Sequence, residues 1–173
     1  MKFYVIPNMT RENAFDVTSR LLAEIQSLNC VAFMEKGLQG TFGEAKFITY
    51  CDNDLCIKDV DMVISVGGDG SFISAAKIAT NYEKPIICIN AGKLAYLACL
   101  EGDETHLLGQ VVRGNYITEK RMMLDVAVVD KAGEILYHSN CINDAVVSRS
   151  GSIRIMKLSA ICNGTPLIEY MAD

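Results

Sequence analysis

Three things are missing from this 173-residue sequence: an excess of basic residues, paired cysteines and a long apolar run. Lys and Arg number 16 against 21 Asp and Glu, a net charge of −5. Binding nucleic acid by phosphate neutralisation needs a basic surface, so that partner class is excluded, and a polybasic membrane anchor with it. Seven cysteines stand at 30, 51, 56, 88, 99, 141 and 162, without a CxxC and with only His106 and His138 as companion nitrogen ligands. Such scatter builds no zinc site, and we expect free thiols, with Cys88 and Cys99 as small core residues of a cytoplasmic protein. No apolar run approaches the roughly 18 residues of a membrane span, and MKFYVIPNMT lacks the apolar stretch of a signal peptide. Internal repeats and low-complexity tracts are also absent. Half of the residues are hydrophobic and 21% charged, which excludes disorder and leaves one domain, or one small domain with part of another.

The charge is unevenly distributed. Residues 1–112 carry 9 Lys/Arg against 14 Asp/Glu, whereas residues 113–173 carry 7 of each. Either the two parts present surfaces of different polarity, or an anionic ligand meets the neutral part, where Arg121, Arg149, Arg154 and Lys157 lie.

The organisation changes midway. Phe3–Ile6, Val31–Met34, Met62–Val66 and Pro85–Ile89 are short apolar runs that read as strands. Between them, helical spacing of Phe15, Leu21, Leu22, Ile25 and Leu28 predicts a helix over 11–28, capped by Thr10 and with Glu12 in its first turn. Phe72, Ala75, Ala76 and Ala79 predict a second helix from Ser71 to about Asn81, and Leu107, Leu108, Val111 and Val112 a third over 103–113. Residues 37–60 are less regular, and the series Asp52, Asp54, Asp59, Asp61 reads as a solvated surface. Alternation of this kind predicts a doubly wound, Rossmann-like α/β domain with a mainly parallel sheet. After Gly114 the helical period vanishes. Tyr116–Val129, Glu134–His138, Ile153–Cys162 and Thr165–Met171 read as strands, with turns at Asp130–Gly133 and Asn163-Gly164 and with Pro166 confined to a strand start or edge. We expect an α/β domain over 1–115 and the start of an antiparallel β domain over 116–173.

The chemistry concentrates in Gly67-Gly68-Asp69-Gly70, set directly between a buried strand and a helix. Glycines there permit φ > 0 and let backbone N–H groups approach a ligand, and the helix N-terminus favours a phosphate. Ser71 either caps the helix or offers its hydroxyl to a phosphate oxygen. Asp69 does not suit plain anion binding, because a carboxylate repels phosphate. It either caps the helix, orients a divalent cation or accepts a proton from a hydroxyl nucleophile. Neither GxGxxG in this loop nor GxxxxGK[ST] anywhere is present, so the commonest dinucleotide and phosphate-loop signatures do not apply.

Val63–Phe72 resembles the GGDG(T/S) motif of the NAD kinases, shared more loosely with diacylglycerol and sphingosine kinases and phosphofructokinases. Four further elements resemble that family in the same order. Asn90-Ala91-Gly92-Lys93-Leu94-Ala95-Tyr96-Leu97 is similar to NxGxLGFL, Arg121–Leu124 to R-x-M-L, and Asn143–Val147 to the NE/ND-x-V-V element. Asn163-Gly164 with Glu169–Asp173 is similar to the hairpin entering the next motif. Ala95 and Tyr96 depart from the usual Gly and Phe; a left-handed backbone at 95 would make the alanine crowd a ligand, while Tyr96 would keep the apolar contact and add a hydroxyl.

The resemblance implies phosphoryl transfer from ATP or polyphosphate to the adenosine ribose 2′-hydroxyl of NAD, giving NADP, with a divalent metal, Mg2+, as cofactor. It implies Asp69 as general base, the Gly67, Gly68 and Gly70 backbone with Ser71 around phosphate, and Asn143, Asp144 and Asn90 at NAD. Asp173 would face the base or nicotinamide end, and Arg121 and Arg149 are either phosphate partners or surface ion pairs. It further implies a chain truncated in the C-terminal domain and a homo-oligomeric full-length protein. The alternatives are a truncated nucleotide-binding fragment without turnover and a lipid kinase of the diacylglycerol type.

Overall fold

A computed structural model of the protein describes residues 1–148 and 155–172. Two compact units are distinguished, Met1–Asn143 and Asp144–Asp173.

The first unit is built on a six-stranded parallel sheet. Its strands are β1 (Lys2–Pro7), β2 (Val31–Glu35), β3 (Ile48–Cys51), β4 (Met62–Gly67), β5 (Ile86–Asn90) and the two-residue β6 (Leu100–Glu101). They lie in the order β3-β2-β1-β4-β5-β6, and every neighbouring pair is parallel. The helices are α1 (Ala14–Ser27), α2 (Gln39–Phe42), α3 (Asn53–Lys58), α4 (Asp69–Asn81) and α5 (Leu108–Val112). This is the expected doubly wound arrangement.

The central strands are apolar at successive positions because both of their faces are covered. Phe3 and Val5 of β1, with Ile64 and Val66 of β4, point to one side and pack with Val17, Leu21 and Ile25 of α1. Tyr4 and Val63 point to the other and pack with Cys56 and Ile57 of α3 and Ala75 and Ala79 of α4. The alanine face of α4 lets that helix lie close to the sheet.

Burial pushes the Tyr4 phenol up to about 12, helped by the negative charges of Glu35 and Asp54. The neutral phenol is the form the fold favours. Its contribution is therefore complete below pH 10, the unfolded value, and is lost as pH rises from 10 to 12. Cys88, pushed up to about 12 from 9 chiefly by burial, acts in the same direction from pH 9. Denaturant melts between pH 8 and 11.5 should show stability falling above pH 9–10, and less steeply above pH 10 in Tyr4→Phe. Parallel curves for the two proteins would refute the tyrosine's share.

After α5 the parallel pattern ends. β7 (Leu124–Val129) pairs antiparallel with β8 (Ile135–Cys141). Their turn is tied by the Asp130 carboxylate, which accepts the Ala132 and Glu134 N–H groups at 2.8 and 2.9 Å. In the second unit β9 (Met156–Cys162) pairs antiparallel with β10 (Thr165–Ala172). Asn163 and Gly164 both take positive φ, 49° and 78°, as a two-residue hairpin turn requires. Pro166 stands near the start of β10 beside a register shift.

Several details differ from expectation. α1 begins at Ala14 after Asn13, and Thr10 bonds the Asn8 side chain instead of capping. Phe15 is exposed and stacks on Phe42, with ring centroids 5.5 Å apart. The third helix is a 3-10 turn, Thr105–Leu107, followed by the short α5. Residues 116–123 form no strand, and Ile117 is 99% exposed. Cys51 and Cys56 are joined as a disulfide with Cα atoms 5.5 Å apart, so not all seven thiols are free. They meet because a single residue separates the end of β3 from the start of α3. Cys99 is exposed, whereas Cys88 is fully buried.

Candidate active site

In this strand order the chain reverses direction across the sheet between β1 and β4. Neighbouring loops diverge at such a point and leave a crevice beyond the strand carboxyl ends, where ligands of open α/β sheets bind. One wall is the loop after β1, from Asn8 to Asn13; the other is the turn from Gly67 to Ser71. The Asn8 N–H donates to the Val66 carbonyl at 2.8 Å, and Asn8 Nδ2 donates to Ser71 Oγ at 2.9 Å. The two walls are thus stitched together across 63 residues of sequence.

The three glycines of the turn are not equivalent, and none has positive φ, so left-handed freedom is not why glycine stands there. At Gly67 a Cβ would lie 2.6 Å from Ser71 Cβ and 3.2 Å from Asn8 Cβ. Its glycine makes room chiefly for the Ser71 side chain, which in turn bonds Asn8 across the crevice. At Gly68 the space above Cα is open up to Arg11 Nη2, 3.7 Å from where a Cβ would stand. At Gly70 nothing lies within 4 Å.

Asp69 opens α4 but does not cap it; the N-cap is Gly68, which has no side chain to offer. The carboxylate instead reaches the segment after β5. Oδ1 accepts the Leu97 N–H at 2.8 Å and Oδ2 the Tyr96 N–H at 3.2 Å. The two motifs are therefore one structure, a view strengthened by the Ala91 N–H bond to the Gly67 carbonyl at 2.9 Å. A carboxylate has about four lone-pair sites, so two N–H bonds leave acceptor capacity for a ligand hydroxyl. Leu97 packs on Phe72, Ala76 and Cys88. Tyr96 is 83% exposed and makes no apolar contact of the kind expected. Ala95 has no left-handed backbone, so its departure from glycine introduces no strain.

Asn90 is buried at the end of β5, level with Gly67. Its Oδ1 accepts the Gly92 N–H at 2.8 Å, and its Nδ2 donates to Glu101 Oε2 at 2.9 Å. Those bonds hold the 90–92 turn against β6. A polar cavity of about 190 Å³ adjoins it, bordered by Asp16, Arg20, Asn90 and Glu101 among others. A larger, mainly apolar cavity of about 650 Å³ lies among α4, β5, α5 and residues 115–123, and none of Gly67–Ser71 lines it.

The remaining expected residues are more scattered. Ile142, just past β8, packs on the Phe72–Cys88 cluster. Asn143 follows it, exposed, as the last residue of the first unit, and Asp144, also exposed, opens the second. Arg121 pairs with Glu119 at 3.3 Å and Lys157 with Glu169 at 2.8 Å. Arg149, Arg154 and Asp173 lie outside the described residues. Among the described residues no three His, Cys, Asp or Glu side chains gather into a metal-binding group, and no helix is long and apolar enough to cross a membrane. Asn8 and Arg11 were not anticipated. Their only sequence signal is their place at the end of the first strand, where a switch-point crevice opens once the strand order is known.

A sheet ordered in this way, with a glycine–acid turn at its switch point, defines a Rossmann-like α/β protein of the kind that binds ligands at strand carboxyl ends. Residues 3–116 match the family model described as the ATP-NAD kinase N-terminal domain, and the chain belongs to the NAD kinase family. It is 27% identical over 173 residues to an NAD kinase of Thermoanaerobacter sp. (strain X514), covering 99% of this chain and 60% of that one. It is 32% identical over 117 residues to an NAD kinase of Aquifex aeolicus (strain VF5), covering 67% and 42%. The fold is similar to that of yeast NADH kinase, solved in complex with NADH. The TM-score is 0.83 at 14% identity, over 100% of this chain and 55% of that one. The chain thus spans about three-fifths of the length of the first of these relatives.

Proposed function

We propose that the protein acts in phosphorylation of the adenosine ribose 2′-hydroxyl of NAD, with ATP or polyphosphate as donor. The observation that carries this reading is Asp69, a carboxylate fixed at the switch-point crevice by the Tyr96 and Leu97 N–H groups. A secondary alcohol is a poor nucleophile at neutral pH, and phosphoryl transfer depends mostly on positioning and charge stabilisation. Asp69 accepts the hydroxyl proton as the new P–O bond forms to the donor's terminal phosphorus and that phosphorus separates from its bridging oxygen, which leaves with ADP or the shortened polyphosphate. The open backbone at Gly68 and Gly70 faces the phosphates, Gly67 keeps the walls in contact, and Ser71 orients Asn8.

The divalent cation this chemistry uses, Mg2+, would be held mainly by the donor's own phosphates, as is usual for that ion. Asp69 is the turn's one carboxylate toward it, in keeping with the lack of a three-ligand group among the described residues. Asn143 and Asp144 are assigned to NAD, Asp173 to its base or nicotinamide end, and Asn90 to the shape of the crevice floor. The division into a nucleotide-binding part, 1–115, and an NAD-binding β part, 116–173, belongs to the same proposal, as does a cytoplasmic site of action. Exposed Leu136, Ile161, Leu167 and Met171 on the hairpins support homo-oligomerisation of the full-length protein.

Incubation with NAD, ATP and Mg2+, followed by chromatographic detection of NADP, tests the reading. NADP is expected. Phosphorylated diacylglycerol in place of NADP would shift the assignment to a lipid kinase. No product, with nucleotide still bound, would make the chain a binding fragment.

A further inference from the structure

Arg11 is an exposed arginine in the loop after β1. Its position is restrained: the Arg11 N–H donates to the Asn8 carbonyl at 3.0 Å and its own carbonyl accepts the Ala14 N–H at 3.1 Å. Asn8 is in turn bonded to Val66 and Ser71. The backbone carrying Arg11 is therefore held to the glycine turn. The guanidinium stands over Gly68, with Nη2 3.7 Å from the position of an absent Cβ.

Among the described residues Arg11 has no carboxylate partner. The nearest acid in sequence on the opposite wall, Asp69, turns its carboxylate away to Tyr96 and Leu97. An unneutralised arginine thus roofs the glycine whose missing side chain leaves the approach to the turn open. In a segment with 14 acidic against 9 basic residues, the choice of an unpaired cation at this place calls for an anionic partner. A guanidinium suits phosphate well, because its donors form a rigid fork that meets two oxygens at once.

We propose that Arg11 binds the phosphate chain of the phosphoryl donor across Gly68. The proposal rests on the kinase reading for the identity of the donor, but not for the presence of an anion. It assigns Arg11 to the donor, opposite in function to Asn143 and Asp144, so that its loss should separate the two substrates kinetically.

The test compares the full chain with Arg11→Gln and Arg11→Lys, and with Lys77→Gln as a charge-matched control on the exposed side of α4. Calorimetric titration with inorganic tripolyphosphate is run beside steady-state kinetics and thermal melts. Arg11→Gln should weaken tripolyphosphate binding, and raise KM for ATP, by on the order of 10- to 100-fold, the range of a charge-assisted pair. KM for NAD and the melting temperature should not move, since the side chain is exposed and belongs to no hydrophobic cluster. Arg11→Lys should fall between, keeping the charge but losing the fork, and Lys77→Gln should match the unmodified chain. Tripolyphosphate affinity within twofold of the unmodified chain in Arg11→Gln overturns the proposal, as does the absence of tripolyphosphate binding by the unmodified chain. The two readings fail separately. NADP formation with an unchanged KM for ATP in Arg11→Gln removes Arg11 and keeps the kinase; Arg11-dependent tripolyphosphate binding without NADP formation does the reverse.

Discussion

Asp69→Asn is expected to lower the rate of NADP formation by a factor on the order of 10² to 10⁴, the usual contribution of a positioned general base. The substitution keeps the side chain's shape and removes its charge and proton-accepting power. Its structural cost is small and local. The amide oxygen can still accept the Leu97 N–H, bonded at 2.8 Å to Oδ1, but the amide nitrogen would face the Tyr96 N–H, bonded at 3.2 Å to Oδ2, as donor against donor. One lost bond of this kind at an exposed site costs about 1 kcal/mol. A role confined to bracing residues 96 and 97 would therefore appear as a lower melting temperature and raised KM values, with kcat reduced only modestly. A role in proton transfer appears as a fall in kcat with KM for NAD nearly unchanged, because that interaction exists only in the transition state, and a rise in KM for ATP beside it reports the carboxylate's part in holding Mg2+. A rate within threefold of the unmodified chain would show that Asp69 is not the base.

What was legible beforehand follows from which interactions are local. The buried runs at Phe3–Ile6, Val31–Met34 and Met62–Val66, and the alanine-faced helix after the glycine turn, match β1, β2, β4 and α4 to within a residue or two. Each is long enough to carry its own period: β1 and β4 bury successive residues, β2 buries Ala32 and Met34, and α4 buries one alanine-rich face. β3 escaped notice because it is a four-residue edge strand, partly exposed, between a polar loop and a short helix. The long β run expected from Tyr116 shrank to Leu124–Val129 because β propensity forms a strand only where a partner offers its backbone, and residues 116–123 have none. Thr10 was a reasonable helix cap by type, yet the Asn8 carboxamide competes for its hydroxyl at 2.7 Å.

The site divides in the same way. Gly67–Ser71 and Asn90–Leu97 are contiguous motifs and could be read directly. That the Asp69 carboxylate joins them could not, since its bonds to Tyr96 and Leu97 span 27 and 28 residues. Asn8 and Arg11 enter the site only through the strand order, which places the end of β1 beside the end of β4. Sequence reasoning also gave all three glycines the same two causes, conformational freedom and an open backbone for a ligand. Packing assigns them separate causes, and those causes are separable by experiment.

Gly67→Ala should damage both folding and activity, whereas Gly70→Ala should damage activity alone. At Gly67 the added methyl would sit 2.6 Å from Ser71 Cβ and 3.2 Å from Asn8 Cβ, closer than carbon atoms approach without displacement. Neither neighbour can yield cheaply, because Ser71 lies in the first turn of α4 and Asn8 is tied to the Val66 carbonyl. Forcing them apart breaks the Asn8–Ser71 bond of 2.9 Å and carries Arg11 away from the turn. Overpacking of this kind costs about 1–3 kcal/mol, a fall of roughly 2–12 °C in melting temperature for a chain of this size. Activity should fall by more than tenfold with it. At Gly70 nothing lies within 4 Å and the backbone is helical, so alanine meets no protein atom and improves the helix by roughly 0.5–1 kcal/mol. If the donor's phosphates pack on that backbone, the methyl obstructs the ligand instead, and KM for ATP rises while the melting temperature holds or increases. Ser71→Gly introduced into Gly67→Ala removes the clashing carbon and should restore part of the lost stability, though not the Asn8 bond. A melting temperature of Gly67→Ala within 1 °C of the unmodified chain, measured by calorimetry, would mean that the walls of the crevice are not held in contact at this glycine.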